Sequence, residues 1–197
     1  MRNSAIAIAA LAAAWAVSGT AVAATTAYAG GSTSNVILNI PVYASISGSC
    51  GFGTGLAPSG SYALGEISDG FSQSVSFAIA CSAPTRVAVV SSNAGLKASA
   101  TAPTGYTNQM DYTVALALTG DTTTAQSTCL ASTLGSSGSC SFRGPSSGTR
   151  GLQLNDTSHD AQGSSLTISA PAWSGSSALV ASTTYADTLT VTISPSS

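Results

Sequence analysis

The stretch "NDTSHDAQG", residues 155–163, places the chain's only histidine, His159, between Asp156 and Asp160. An imidazole among carboxylates is raw material for a hydrolytic triad, in which a serine nucleophile, a histidine base and an orienting carboxylate must converge. Serines are abundant everywhere in this chain, so a nearby one carries no weight. Adjacent side chains on an extended segment point to opposite sides, which makes Asp160 a poor orienter for His159. His159 is expected as a solvated loop residue. Asn155-Asp156-Thr157 also fits a glycosylation sequon, a tripeptide common by chance. "GFGTGLAP", Gly51–Pro58, has the glycines of a phosphate-cradling loop. Such a loop must open a helix, and Pro58 with the serine-rich residues beyond it starts none. It is expected as a loop after Cys50. Glycoside hydrolysis needs two carboxyl groups, but nothing singles out a partner for Glu66, the one glutamate. Neither an enzymatic activity nor a cofactor is expected.

Four cysteines remain: Cys50, Cys81, Cys129 and Cys140. They contain no CxxC, and His159 is far from all of them in sequence, so a metal site fails on spacing. The N-terminus supplies the context. Arg2 precedes an apolar run, Ala5–Val17, and then "AVAA", Ala21–Ala24. Residues 1–24 read as a secretory signal peptide cleaved near Ala23 or Ala24, with "AYA" at Ala27–Ala29 a second candidate site. The exported chain then has no membrane span. An even cysteine count in a secreted chain favours disulfides. Three pairings are open. Pairing neighbours, Cys50 with Cys81 and Cys129 with Cys140, is the favoured one, with loop-entropy contributions of roughly 3–4 and roughly 3 kcal/mol.

Charged residues make up 6% of the sequence, against roughly 25% in ordinary domains. After removal of Arg2 the basic residues are Arg86, Lys97, Arg143 and Arg150, too few for a basic patch, so nucleic acid is not an expected partner. The surface must be Ser, Thr, Asn and Gln. Such a surface suits a protein that packs against copies of itself, because little like-charge repulsion opposes contact.

The elements that position these residues are strands. Val36, Leu38, Ile40, Val42, Ala44 and Ile46 occupy alternate positions, interrupted by Pro41, which cannot donate to a ladder. Val75–Cys81, Val87 and Val89, Tyr112–Leu118, Leu152 and Leu154, and Leu166 and Ile168 alternate likewise. Residues 135–150 read as a Ser/Gly-rich surface stretch. The last strand is expected from about Thr184 to Ile193, with Leu189, Val191 and Ile193 on its buried face. No exported segment has a helical apolar stripe. Short strands between Gly, Pro, Ser and Asn clusters indicate one all-β sandwich domain.

"VILNIPVYASISGSC", "VSFAIAC" ending at Cys81, and "TTYADTLTVTIS" at residues 183–194 resemble the spore coat protein U domain, which is shared with pilins of archaic chaperone–usher pili. The most specific part is Tyr185-x-Asp187-Thr188-Leu189 followed by alternating apolar residues, and the middle of the chain matches loosely. The resemblance implies an incomplete immunoglobulin-like β-sandwich lacking its last strand and completed by donor-strand complementation. Only Pro195–Ser197 follow the final run, so the missing strand is expected from another chain. On this reading residues 25–41 are leader and donor strand, with Val36, Leu38 and Ile40 as anchors, and residues 42–197 are the domain. Tyr185, Asp187, Leu189, Val191 and Ile193 then form the final strand beside the acceptor groove. The implied function is a structural pilin of a cell-surface fimbrium, serving adhesion and biofilm formation. The implied partners are copies of itself or related pilins, a periplasmic chaperone and an outer-membrane usher. A monomeric secreted spore-coat or matrix protein, or a minor or tip adhesive subunit, are the alternatives.

Overall fold

The computed structural model describes residues 48–54, 57–181 and 184–196. The signal peptide, the leader and the donor residues Val36, Leu38 and Ile40 lie outside the described residues. Among those described, no helix is long and apolar enough to cross a membrane. Among the described residues the regular structure is almost entirely strand. In order these are β1 (Cys50–Phe52), β2 (Phe71–Cys81), β3 (Thr85–Ser91), β4 (Leu96–Ala98), β5 (Tyr106–Thr107), β6 (Gln109–Met110), β7 (Thr113–Thr119), β8 (Thr124–Leu130), β9 (Leu152–Leu154), β10 (Ser158–Ala170), β11 (Ala178–Leu179), β12 (Tyr185–Ala186) and β13 (Leu189–Pro195).

The larger sheet has the order β1-β2-β10-β7-β8, with every pairing antiparallel. Its period-2 logic is clearest in β7, where Val114, Leu116 and Leu118 are buried and the Thr and Ala residues between them face outward. A second sheet, β13-β3-β9, is also antiparallel, and Val87 and Val89 of β3 are fully buried. Phe77, Ile79, Val114 and Leu116 from the first sheet and Val87, Val89 and Leu154 from the second belong to one core. A small sheet β12-β4-β6 and a two-stranded parallel ladder β11-β5 complete the set.

Both disulfides pair neighbours, Cys50 with Cys81 and Cys129 with Cys140, and none of the four cysteines is free. Cys50 and Cys81 are register partners on β1 and β2. The Cys129–Cys140 bond ties the edge strand β8 to the loop that follows it. That loop differs from the surface stretch expected for residues 135–150. Phe142 is fully buried, and β3 binds its flanks: the Val89 N–H donates to the Phe142 carbonyl, and the Gly144 N–H donates to the Val89 carbonyl, both at 2.9 Å. Serine and glycine dominate the composition there, but one aromatic side chain sets the packing.

Other boundaries moved too. Gly51 and Phe52 are strand, not loop, and Phe52 meets Phe77 edge-on. β10 runs thirteen residues, and His159 lies within it. Its register shifts between Ser158 and Ala161 and again between Ala161 and Ser164, with Asp160 at φ 54° and Gly163 at φ 99°. These bulges break the alternation that would have announced a strand. The final strand is not continuous: Tyr185 and Ala186 pair with β4, and only Leu189–Pro195 pair with β3.

Phe142→Ala should therefore destabilise the domain by about 3–5 kcal/mol, the usual figure for a buried aromatic. Leu130→Ala, whose side chain is 49% exposed, should stay within about 0.5 kcal/mol. Urea unfolding of the two variants checks the contrast; equal effects would mean the loop does not close the core.

Candidate functional site

The break in the final strand occurs at Asp187 and Thr188, where the chain passes from β4 to β3. Asp187 holds that junction. Its Oδ2 accepts from the Ser91 hydroxyl at 2.6 Å and the Tyr112 hydroxyl at 2.8 Å. Its Oδ1 accepts from the Thr188 N–H at 2.7 Å, the Ser92 hydroxyl at 2.9 Å and the Asn93 N–H at 3.0 Å. Five neutral donors on one carboxylate fix the turn after β3 against the start of β13. Tyr112 is buried, and burial pushes its hydroxyl pKa well above the ordinary tyrosine value, assisted by the bond to Asp187 and by the charges of Asp187 and Asp111. Burial also raises Tyr185, whose hydroxyl donates to the Val180 carbonyl at 2.8 Å.

Beyond this junction β13 is paired on one side only among the described residues, where β3 is its single ladder partner. Leu189, Val191 and Ile193 pack against the core but are only partly buried. Along this strand runs a groove of about 1190 Å³. Leu189 and Val191 line it together with Val75, Leu166 and Ile168 of the larger sheet, residues 58–68, and Tyr112, Tyr185 and Asp187 at the junction. The groove is thus mainly aliphatic, and among the described residues the only ionisable side chains on its walls are Glu66, Tyr62 and those junction groups. A smaller depression of about 400 Å³ on the larger sheet is lined by Ala115, Leu116, Ala117, Gln126, Ser127, Thr128, Ser165 and Thr167, which include no ionisable group.

The residues around His159 hold the turn between β7 and β8. Asp156 accepts from the N–H groups of Thr122 and Thr123 at 2.6 and 2.9 Å, closing the β7–β8 turn. The Thr122 N–H bond is the main reason its pKa lies below the usual aspartate value. Asp121 reciprocates, accepting from the Thr157 hydroxyl and the His159 N–H, both at 2.8 Å. The His159 side chain is exposed. No three His, Cys, Asp or Glu side chains among the described residues converge to hold a metal ion. The role of Asp187 was hidden from sequence, since its partners Ser91, Ser92, Asn93 and Tyr112 lie far upstream. The Tyr185-x-Asp187-Thr188-Leu189 spacing was the one available signal.

Compared with known proteins, the sequence matches no family model, no curated protein and no solved structure.

Because Tyr112 is held neutral in the fold, its contribution is complete below pH 10, the ordinary tyrosine value. It is lost progressively above that pH, where the unfolded state releases the proton and the folded state keeps it. Tyr112→Phe should be less stable at neutral pH by about 1–2 kcal/mol and should lose stability less steeply than the parent between pH 10 and 11.5. Parallel alkaline slopes in urea unfolding would show that Tyr112 ionises freely in the folded state.

Proposed function

We propose that this chain is a structural pilin, a subunit of a cell-surface fibre built by donor-strand exchange through a chaperone–usher route and serving adhesion and biofilm formation. The observation that carries the reading is the unpaired side of β13 beside an aliphatic groove, in the strand whose sequence gave the resemblance. An open edge with half-buried aliphatic neighbours is a template for strand addition. The occupant is the segment carrying Val36, Leu38 and Ile40 of a second copy. Its alternation matches the period of a strand lying along β13, and its aliphatic side chains match the groove's mainly aliphatic lining. Burying three such side chains contributes about 5–9 kcal/mol before the costs of ordering are subtracted.

Donor and acceptor are different surfaces, so the contact is heterologous and propagates into an open filament. The sandwich is immunoglobulin-like on this reading and lacks the strand that the neighbour supplies. Two disulfides and a low charge density support life outside the cell, in an oxidising compartment where subunits pack closely.

Leu38→Asp would bury an unpaired carboxylate at each joint, at several kcal/mol, and should abolish fibres in electron micrographs of the cell surface. Asn39→Asp, on the opposite face of the same segment, should leave them. Normal fibres with Leu38→Asp would remove this segment as the donor. A domain that lacks residues 1–40, is highly stable alone and ignores a peptide of residues 32–41 would favour the monomeric secreted coat or matrix protein instead.

A further inference from the structure

The groove's remaining wall has an unusual construction. Residues 57–65 make no backbone–backbone hydrogen bond among the described residues, and their one side-chain bond is internal, from the Tyr62 hydroxyl to the Ser59 carbonyl at 3.2 Å. Both ends of the segment are nevertheless fixed. Upstream, the Gly53 N–H donates to the Ala78 carbonyl at 2.8 Å, and Cys50 is bonded to Cys81. Downstream, a short 3-10 turn at Ile67–Asp69 is capped by Glu66, and the Trp173 N–H donates to the Ser68 carbonyl at 2.8 Å.

Between these anchors lie two glycines in backbone conformations that other residues rarely adopt, Gly60 at φ 143° and Gly65 at φ 75°. A side chain at Gly65 would meet nothing within 4 Å, so packing does not dictate that turn. Leu64 is half-buried against the core, while Tyr62 is 44% exposed. The segment is tethered at both ends, carries apolar side chains and has uncommitted backbone groups.

A strand docked on β13 has a second edge. Its outward N–H and C=O groups face the same groove and need partners or cover. We infer that residues 57–65 are a strap that closes over the docked strand, covering its outer edge with their free backbone and with Leu64 and Tyr62. This rests on the donor-strand reading of the groove and adds a device that slows release of the donor. The strap keeps its ends and rearranges between them, where no ladder has to be broken.

The test is hydrogen exchange on the full exported chain, with and without a synthetic peptide of residues 32–41. The expected result is slower exchange both in Leu189–Ser194 and in residues 59–65. Protection of Leu189–Ser194 with unchanged exchange in residues 59–65 would overturn the strap while leaving the groove's occupant in place. Protection of neither would overturn both. Leu64→Ser supplies a second readout: the peptide should leave about tenfold faster, with exchange in the peptide-free larger sheet unchanged. An unaltered release rate would also overturn the strap.

Discussion

A β-strand that is paired on one side and half-buried beneath leaves two kinds of group unsatisfied at once, a row of backbone donors and acceptors and a row of aliphatic side chains. Among the described residues, β13 is in this position. The core beneath it is assembled from both sheets, so Leu189, Val191 and Ile193 are held in place by β3 and by the residues below them. Water is the poorer neighbour for both rows, and an extended apolar segment satisfies both together. The groove's shape, its mainly aliphatic lining and the proposed filament all descend from this constraint.

The other flank of the same sheet also ends in an edge strand, β9, but a three-residue one backed by a bonded loop. There β9 covers the start of β3, Phe142 fills the space above Val89, and the Cys129–Cys140 bond fastens the covering loop to β8. Arg86 adds bonds from its guanidinium to the Gly148 and Gly151 carbonyls and to the Gln153 side chain. β13 pairs with β3 over seven residues and β9 does so over three, so among the described residues β13 is the longer edge of this sheet. Asp187 then acts as the fixed end of that edge. Four of its five donors come from two distant parts of the chain, so the start of β13 is held to Tyr112 and to the turn after β3.

What could be read from the sequence was whatever alternates. Val75 to Cys81, Tyr112 to Leu118 and Leu189 to Ile193 announced three of the main strands because large aliphatic or aromatic residues recur at every second position. β8 was silent, since its inward residues are Ala125, Ser127 and Cys129, too small to contrast with their polar neighbours. β10 was read only in part, because its two bulges shift the inward positions around Ala161. Phe142 was masked by the serines and glycines around it. The cysteine pairing was legible from spacing because each pair links neighbouring segments. The groove was legible only through the resemblance, and the free backbone of residues 57–65 had no sequence signal beyond glycines that look like those of any loop.

The central claim is that residues 36–40 of one molecule complete the sheet of another at β13. A photoreactive leucine analogue at position 38, in fibres grown from a mixture of ordinary and nitrogen-15-labelled chains, tests it most directly. The account predicts cross-links from position 38 to Val75, Leu189 or Val191, joining labelled to unlabelled peptides as often as like to like. Cross-links confined to peptides of the same label, or formed only away from the groove, would contradict it.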